Sequence, residues 1–318
     1  MHNWRSKAIV TVAVPVLAIT AAACGASGGT EGGGQELSGN ILVDGSSTVA
    51  PLSEGAAELF MGQNPGVKIT VGTAGTGGGF EKFCNGETDI SDASRPIEAE
   101  ETKLCDENGV KTEQLAVAND ALTVMVHKDN PVDCITTEQL KQIWEPGSKL
   151  TSWSEIDGLK PAYDEKLELY GPGTDSGTFD YFTEAINGEE GAQRTDYNNI
   201  GENDNAGITG VSGSKGGMFY GGYSYYAENK DKVKALEIDG GNGCVEPTVE
   251  TVQDGSYKPL GRELYIYPAE KSMERPEVKS FVQFYVDNAN KVAEAAGFIA
   301  LTEQQLSESK DAIAKLTS

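Results

Sequence analysis

Three short segments of this chain join hydroxyl side chains to glycine just ahead of a helical pattern: 45-GSSTVAP-51, 72-GTAGTGGGF-80 and 173-GTDSGTF-179. A helix start carries unpaired backbone N–H groups and the positive end of a dipole, glycine lets a ligand approach the main chain, and Ser and Thr add uncharged donors. Three such starts brought to one point would hold an oxyanion. The elements that must position them are short β-rich runs alternating with helical patterns, which is the signature of an α/β architecture.

Strands are expected at Ile41–Val43 and Val67–Val71, with a helix from Val49 to Gln63 that has Pro51 in its first turn. A helix opens at Phe80. Two further strands are read at Gln114–Ala118 and Ala121–His127, and a helix at Thr136–Trp144 with Thr136 or Thr137 as its cap. Leu167–Tyr170 is a strand feeding the third glycine-hydroxyl turn, and Phe179–Ile186 is the helix that follows it. Leu264–Tyr267 is a late strand and Pro276 to Ala296 a long amphipathic helix. The glycine- and tyrosine-rich stretch 201–226 reads as an ordered loop and strand, because Ile208, Val211, Met218 and Phe219 punctuate it. The wide separation of the third turn from the first two fits two lobes with a ligand in the cleft between them.

At the front, Arg5 and Lys7 precede an apolar run, Ala8 to Ala23, that is too short and small-residue-rich for a membrane span and ends at Cys24. This is the pattern of a lipoprotein leader: residues 1–23 are cut away, Cys24 carries lipid, and 24–36 is a flexible tether. Removing the leader from 318 residues leaves 295, with 23 basic against 49 acidic side chains and a formal charge of −26. Such a surface excludes nucleic acid as a partner and gains nothing at an anionic membrane. Any anion must then be held by local dipoles and an arginine in a closed cleft. Cys84, Cys105, Cys134 and Cys244 form an even set in an exported chain, so two disulfides are expected. Of the three pairings, Cys84–Cys105 with Cys134–Cys244 keeps each bridge within one lobe. With no CxxC and only His127 left as a histidine, no metal site is expected.

The segments DGSSTVAP, GTGGGFEKFCNGETDISDASRPI (75–97), LKQIWEPGSKLTSWSEI (140–156), GPGTDSGTFDYF (171–182) and ELYIYP (263–268) occur in an order that resembles the phosphate-binding proteins of bacterial phosphate ABC transporters, the PstS family. The resemblance spans about Leu37 to Leu301. It implies a type II periplasmic-binding-protein fold, two α/β lobes joined by two hinge segments. Lobe I would comprise 37–118 and 262–318, and lobe II 119–261. It further implies an extracytoplasmic monomer, held by lipid to the outer face of the cell membrane, that captures inorganic phosphate, hands it to permease subunits and needs no cofactor.

Carried across residue by residue, the family's site falls on Ser47 and Thr48, with Ser46 adjacent, on Thr76 with Gly77, and on Ser176, Gly177 and Thr178. The charged partners depart from the pattern. Pro172 stands where other members have an arginine, and Ser94 where they have an aspartate. Arg95, next to Ser94, is expected to supply the cation through a bidentate fork, or else to pair with Asp89 or Asp92. Asp92 and Asp175 are the candidates to accept the proton that hydrogen phosphate carries and sulfate lacks. The rival readings are a surface phosphatase or hydrolase with a similar cage, a surface receptor or adhesin, and a binder of sulfate, molybdate or arsenate. Ser212-Gly213-Ser214-Lys215 matches S-x-x-K without the accompanying K-T-G, no G-x-S-x-G elbow serves His127, and no P-loop occurs, so an enzyme is not expected.

Overall fold

The computed structural model describes residues 36–317. The leader, Cys24 and all but the last residue of the tether lie outside them. A mixed sheet runs through the whole fold. Apart from Val233–Ala235, which pairs with the end of Leu115–His127, its strands in spatial order are Gly66–Val71, Ser38–Gly45, Ile90–Ala93, Gly261–Pro268, Leu115–His127, Gly217–Gly222, Glu168–Gly171 and Asn198–Asn199. The first three pair in parallel and the last three likewise, each set flanked by helices, as α/β crossovers require. Between the sets lie the antiparallel strands Leu115–His127 and Gly261–Pro268, whose pairing shifts register between Leu264 and Tyr265.

Two hydrophobic cores flank this central pair. One packs Ile41, Leu52, Phe60, Val117, Leu264 and Phe281; the other packs Leu122, Trp144, Phe182, Tyr220 and Tyr257. Along Leu115–His127, Leu115, Val117 and Ala118 belong to the first core and Ala121, Leu122, Val124 and Val126 to the second, while Ala116 and Met125 face two smaller clusters. Asn119 and Asp120 fall between them, both buried. Asn119 is satisfied there by a reciprocal amide pair with Gln305 and by main-chain bonds to Ile299, as a buried amide must be.

Several expectations change at the level of elements. The runs 114–118 and 121–127 form one continuous strand, because the polar pair between them finds partners inside the fold. The second turn's helix begins at Thr76 rather than at Phe80, so its glycines are helical. The segment 276–296 is two helices, broken at Asn288. The region 201–226 holds helices Asp204–Gly213 and Tyr223–Glu228 on either side of the strand Gly217–Gly222. Its glycines mislead because they serve packing. A side chain at Gly207 would run into the Phe219 ring, and one at Gly210 into Tyr170.

The caps and bridges read from the sequence are present. Thr136 caps Thr137–Trp144 in a capping box with Gln139. Cys84 joins Cys105, and Cys134 joins Cys244. Among the described residues no helix is long and apolar enough to cross a membrane.

Candidate functional site

The first turn follows the strand Ser38–Gly45, and Ser46 N–H donates to the Asp92 carbonyl on the neighbouring strand at 2.9 Å. Pro51 opens the helix behind it without a donor to waste. Thr76 starts the second helix, and its hydroxyl lies 3.0 Å from Ser94 Oγ while accepting Ser94 N–H at 3.3 Å. Two turns and the end of a third strand are thereby gathered beyond the carboxyl ends of parallel strands, the usual binding edge of an α/β sheet.

They enclose a cavity of about 70 Å³. Water occupies roughly 30 Å³ per molecule in the liquid, so the space suits a small ion and not an organic ligand. One wall is made by Ser46, Ser47, Thr48, Thr76, Gly77, Ser94 and Arg95. The facing wall is Asp180, Tyr181, Glu184 and Glu190, and Arg262 reaches in from the central strand Gly261–Pro268. Seven of the twelve ligand residues expected from the sequence therefore meet here.

The other five do not line this cavity. Asp175, Ser176, Gly177 and Thr178 line an adjoining recess of about 440 Å³ that shares Ser47 and Thr48 with it. The third turn instead closes against the first. Thr48 Oγ1 donates to the Gly177 carbonyl at 3.4 Å, and a side-chain carbon at Gly177 would stand 2.9 Å from that hydroxyl oxygen and 3.1 Å from Thr48 N. Asp92 serves the site through its main chain. Its carboxyl is wholly buried behind the first turn, accepting from Ser53 Oγ at 2.8 Å with its second oxygen unpartnered among the described residues. Burial pushes that carboxyl up to about 8, against the pull of the Ser53 bond.

Arg95 lines the cavity but its fork is engaged. Nη1 and Nη2 both donate to the Glu101 carboxylate at 2.8 Å, and Nε stands 3.3 Å from Glu98. Neither Asp89 nor Asp92 is its partner; Asp89 binds Arg275 at 3.0 Å.

The residues that sequence reading missed are Arg262, Asp180, Tyr181, Glu184 and Glu190. Asp180 accepts from Ser47 Oγ at 3.3 Å, and burial holds its carboxyl above the ordinary range despite that bond. Helical spacing was the available signal, since Asp180 follows Ser176 by four residues and so shares its face. Arg262 gave no local signal, being 214 positions from the Thr48 it bonds.

A family model described as the PBP superfamily domain matches residues 29–289. The protein SphX of Synechococcus elongatus is 47% identical over 264 residues, covering 82% of this chain and 77% of its own length. The phosphate-binding protein PstS of Staphylococcus saprophyticus is 38% identical, covering 97% of this chain and 93% of its own. Among solved structures, one of a possible phosphate-binding protein from Planctomyces limnophilus superposes with a TM-score of 0.85 at 41% identity, over 89% of this chain and all of that one.

Proposed function

The chain belongs to the PBP superfamily, in the branch that holds SphX and PstS, and from that premise we propose that it captures inorganic phosphate outside the cytoplasm and delivers it to an ABC permease for import. The observation that carries the reading is the 70 Å³ cavity, in which hydroxyls from two turns face a half-buried carboxyl across an ion-sized space. The hydroxyls and main-chain N–H groups of the first wall donate to phosphate oxygens. Asp180 accepts the remaining P–O–H, which makes it the proton reader in place of Asp92 and Asp175. Arg95, its fork held by Glu101, lines the cavity beside Ser94 and the second turn.

Lobe I, 37–118 with 262–318, and lobe II, 119–261, would close on the ion by bending where Asn119–Asp120 and Gly261–Arg262 cross between the cores. The Ser176-Gly177-Thr178 turn then acts as the seal that meets Thr48. Cys24 would tether the protein by lipid to the outer face of the membrane, and capture ends in hand-over rather than turnover. Calorimetric titration of the mature chain tests this directly. One phosphate per chain with weak competition by sulfate is the expected result, and no heat of binding with phosphate would refute it.

A further inference from the structure

The cavity contains two arginines, and their bonding is unequal. Arg95 spends both terminal nitrogens on Glu101 and its Nε faces Glu98, so two carboxylates already answer its charge. Arg262 is held differently. Nε stands 3.3 Å from Asp120 Oδ2, Nη2 donates to Thr48 Oγ1 at 3.0 Å, and the guanidinium carbon lies 3.3 Å from the centre of the Tyr181 ring. Its side chain is 12% exposed, and Nη1 makes no hydrogen bond among the described residues.

That arrangement fixes the plane of the fork on an aromatic face and leaves one donor nitrogen uncommitted in a cavity whose other wall is acidic. That nitrogen is not sealed in the interior and so stays open to a ligand. The three groups that hold Arg262 also come from three places: Thr48 from the first turn, Tyr181 from the helix after the third turn, and Asp120 from the adjoining central strand. A single side chain thus touches both walls.

Resting on the phosphate reading above, we propose that Arg262 is the principal anion-binding cation of this chain, supplying from the central strand the guanidinium that is absent at Pro172, with Nη1 donating to a phosphate oxygen. Arg95 is then a positioning residue that keeps Ser94 and the second turn in place through Glu101. Because Thr48 and Tyr181 both bind the same guanidinium, an ion docked on Nη1 meets it only when the first turn and the third-turn helix are together.

Phosphate titrations of the mature chain, Arg262→Gln, Arg262→Lys, Arg95→Gln and the surface control Lys310→Gln distinguish these roles, with ligand-free melting of each to separate binding from folding. The unmodified chain must bind phosphate, and its failure to do so would sink the transport reading rather than this one. Given that binding, Arg262→Gln is expected to weaken phosphate by about ten- to a hundredfold, the range for a hydrogen bond to a charged group. Arg262→Lys should restore only part of it, and Arg95→Gln should cost less than Arg262→Gln. Lys310→Gln should match the unmodified chain. If Arg262→Gln lowers the melting temperature too far to titrate, millimolar guanidinium added to Arg262→Ala is expected to recover phosphate affinity, which a purely structural loss would not allow. Wild-type affinity in a folded Arg262→Gln, or a larger loss in Arg95→Gln, would overturn the assignment.

Discussion

The two walls of the ion-sized cavity are chemically opposite. The wall built from the first two turns and Ser94 is rich in hydroxyls and main-chain donors, whereas the facing wall offers Asp180, Glu184 and Glu190. A surface meant only to attract anions would not carry those carboxylates, least of all on a chain with 49 acidic residues against 25 basic ones. The contrast makes sense for an ion that both accepts and donates hydrogen bonds. Hydrogen phosphate does both, and sulfate can only accept. On the proposed reading, donors on one side would set affinity and the acceptor on the other would set which oxyanion is admitted.

The comparison breaks most completely if the walls cannot meet. Gly177 touches Thr48 so closely that a β-carbon there would stand 2.9 Å from its hydroxyl, well inside ordinary contact. Gly177→Val is expected to hold the turns apart and abolish measurable phosphate binding. The ligand-free protein should still melt near the unmodified chain, because the recess beside Gly177 opens to solvent. Retained affinity in calorimetry would mean that the ion binds without closure of the third turn on the first.

A second substitution sharpens the contrast by taking one charge from the acidic wall. Asp180→Asn keeps the shape and an oxygen that can still accept, and removes the negative charge that repels sulfate. Sulfate is expected to gain about tenfold or more in affinity at pH 8, in line with the worth of a hydrogen bond to a charged group, while phosphate weakens. The sign of the pH effect follows from burial, which raises the Asp180 carboxyl. As pH falls through its elevated range the unmodified protein neutralises Asp180, so sulfate binding should strengthen with acid. In Asp180→Asn that dependence should shrink to what Glu190, also raised by burial on the same wall, contributes. Competition titrations at pH 5.5 and 8 check both statements, and an unchanged sulfate profile in the variant would remove Asp180 from the selectivity mechanism.

The donor wall was legible in the sequence and the acceptor wall largely was not, for a physical reason. Ser46–Thr48 and Thr76–Gly77 sit in local segments of seven and nine consecutive residues, 45–51 and 72–80, and Pro51 marks its helix start, although the second helix opens at Thr76 and not at the expected Phe80. Both disulfides match the pairing chosen because it kept each bridge within one proposed lobe. Arg262 meets Asp120 through the pairing of Gly261–Pro268 with Leu115–His127 and Tyr181 from the helix Gly177–Phe182, long-range contacts with no local trace. The glycine-rich stretch 201–226 hid two helices because its glycines answer to packing that local spacing does not reveal, Gly207 against Phe219 on the strand Gly217–Gly222 and Gly210 against Tyr170 on the strand Glu168–Gly171. Asp92 shows the reverse error. It stands beside the first turn on the strand Ile90–Ala93, but strand alternation aims its carboxyl inward at Ser53, away from the cavity.

That inward carboxyl yields the smallest effect on binding and a distinct one on stability. Asp92 is wholly buried, holds one hydrogen bond from Ser53, and lies near Tyr285, with the acidic Asp44 and Glu54 adding to its reluctance to ionise. Its folded value of about 8 against an ordinary 3.8 means that the folded state binds more protons than the unfolded state between those limits. Stability from this group is therefore complete below about pH 4 and is lost as pH rises toward 8, where folding must either ionise a buried carboxyl or keep a proton that the unfolded chain has released. Asp92→Asn cannot ionise and can still accept from Ser53 through its amide oxygen. Its melting temperature should decline less between pH 5 and pH 8 than that of the unmodified chain. Phosphate affinity should stay within about twofold, since only the Asp92 carbonyl supports the first turn through Ser46. Thermal melts across that pH range test the first statement, and parallel melting curves for the two proteins would show that Asp92 is not titrating in the fold. A large loss of phosphate affinity in a stable Asp92→Asn would instead return its side chain to the binding wall.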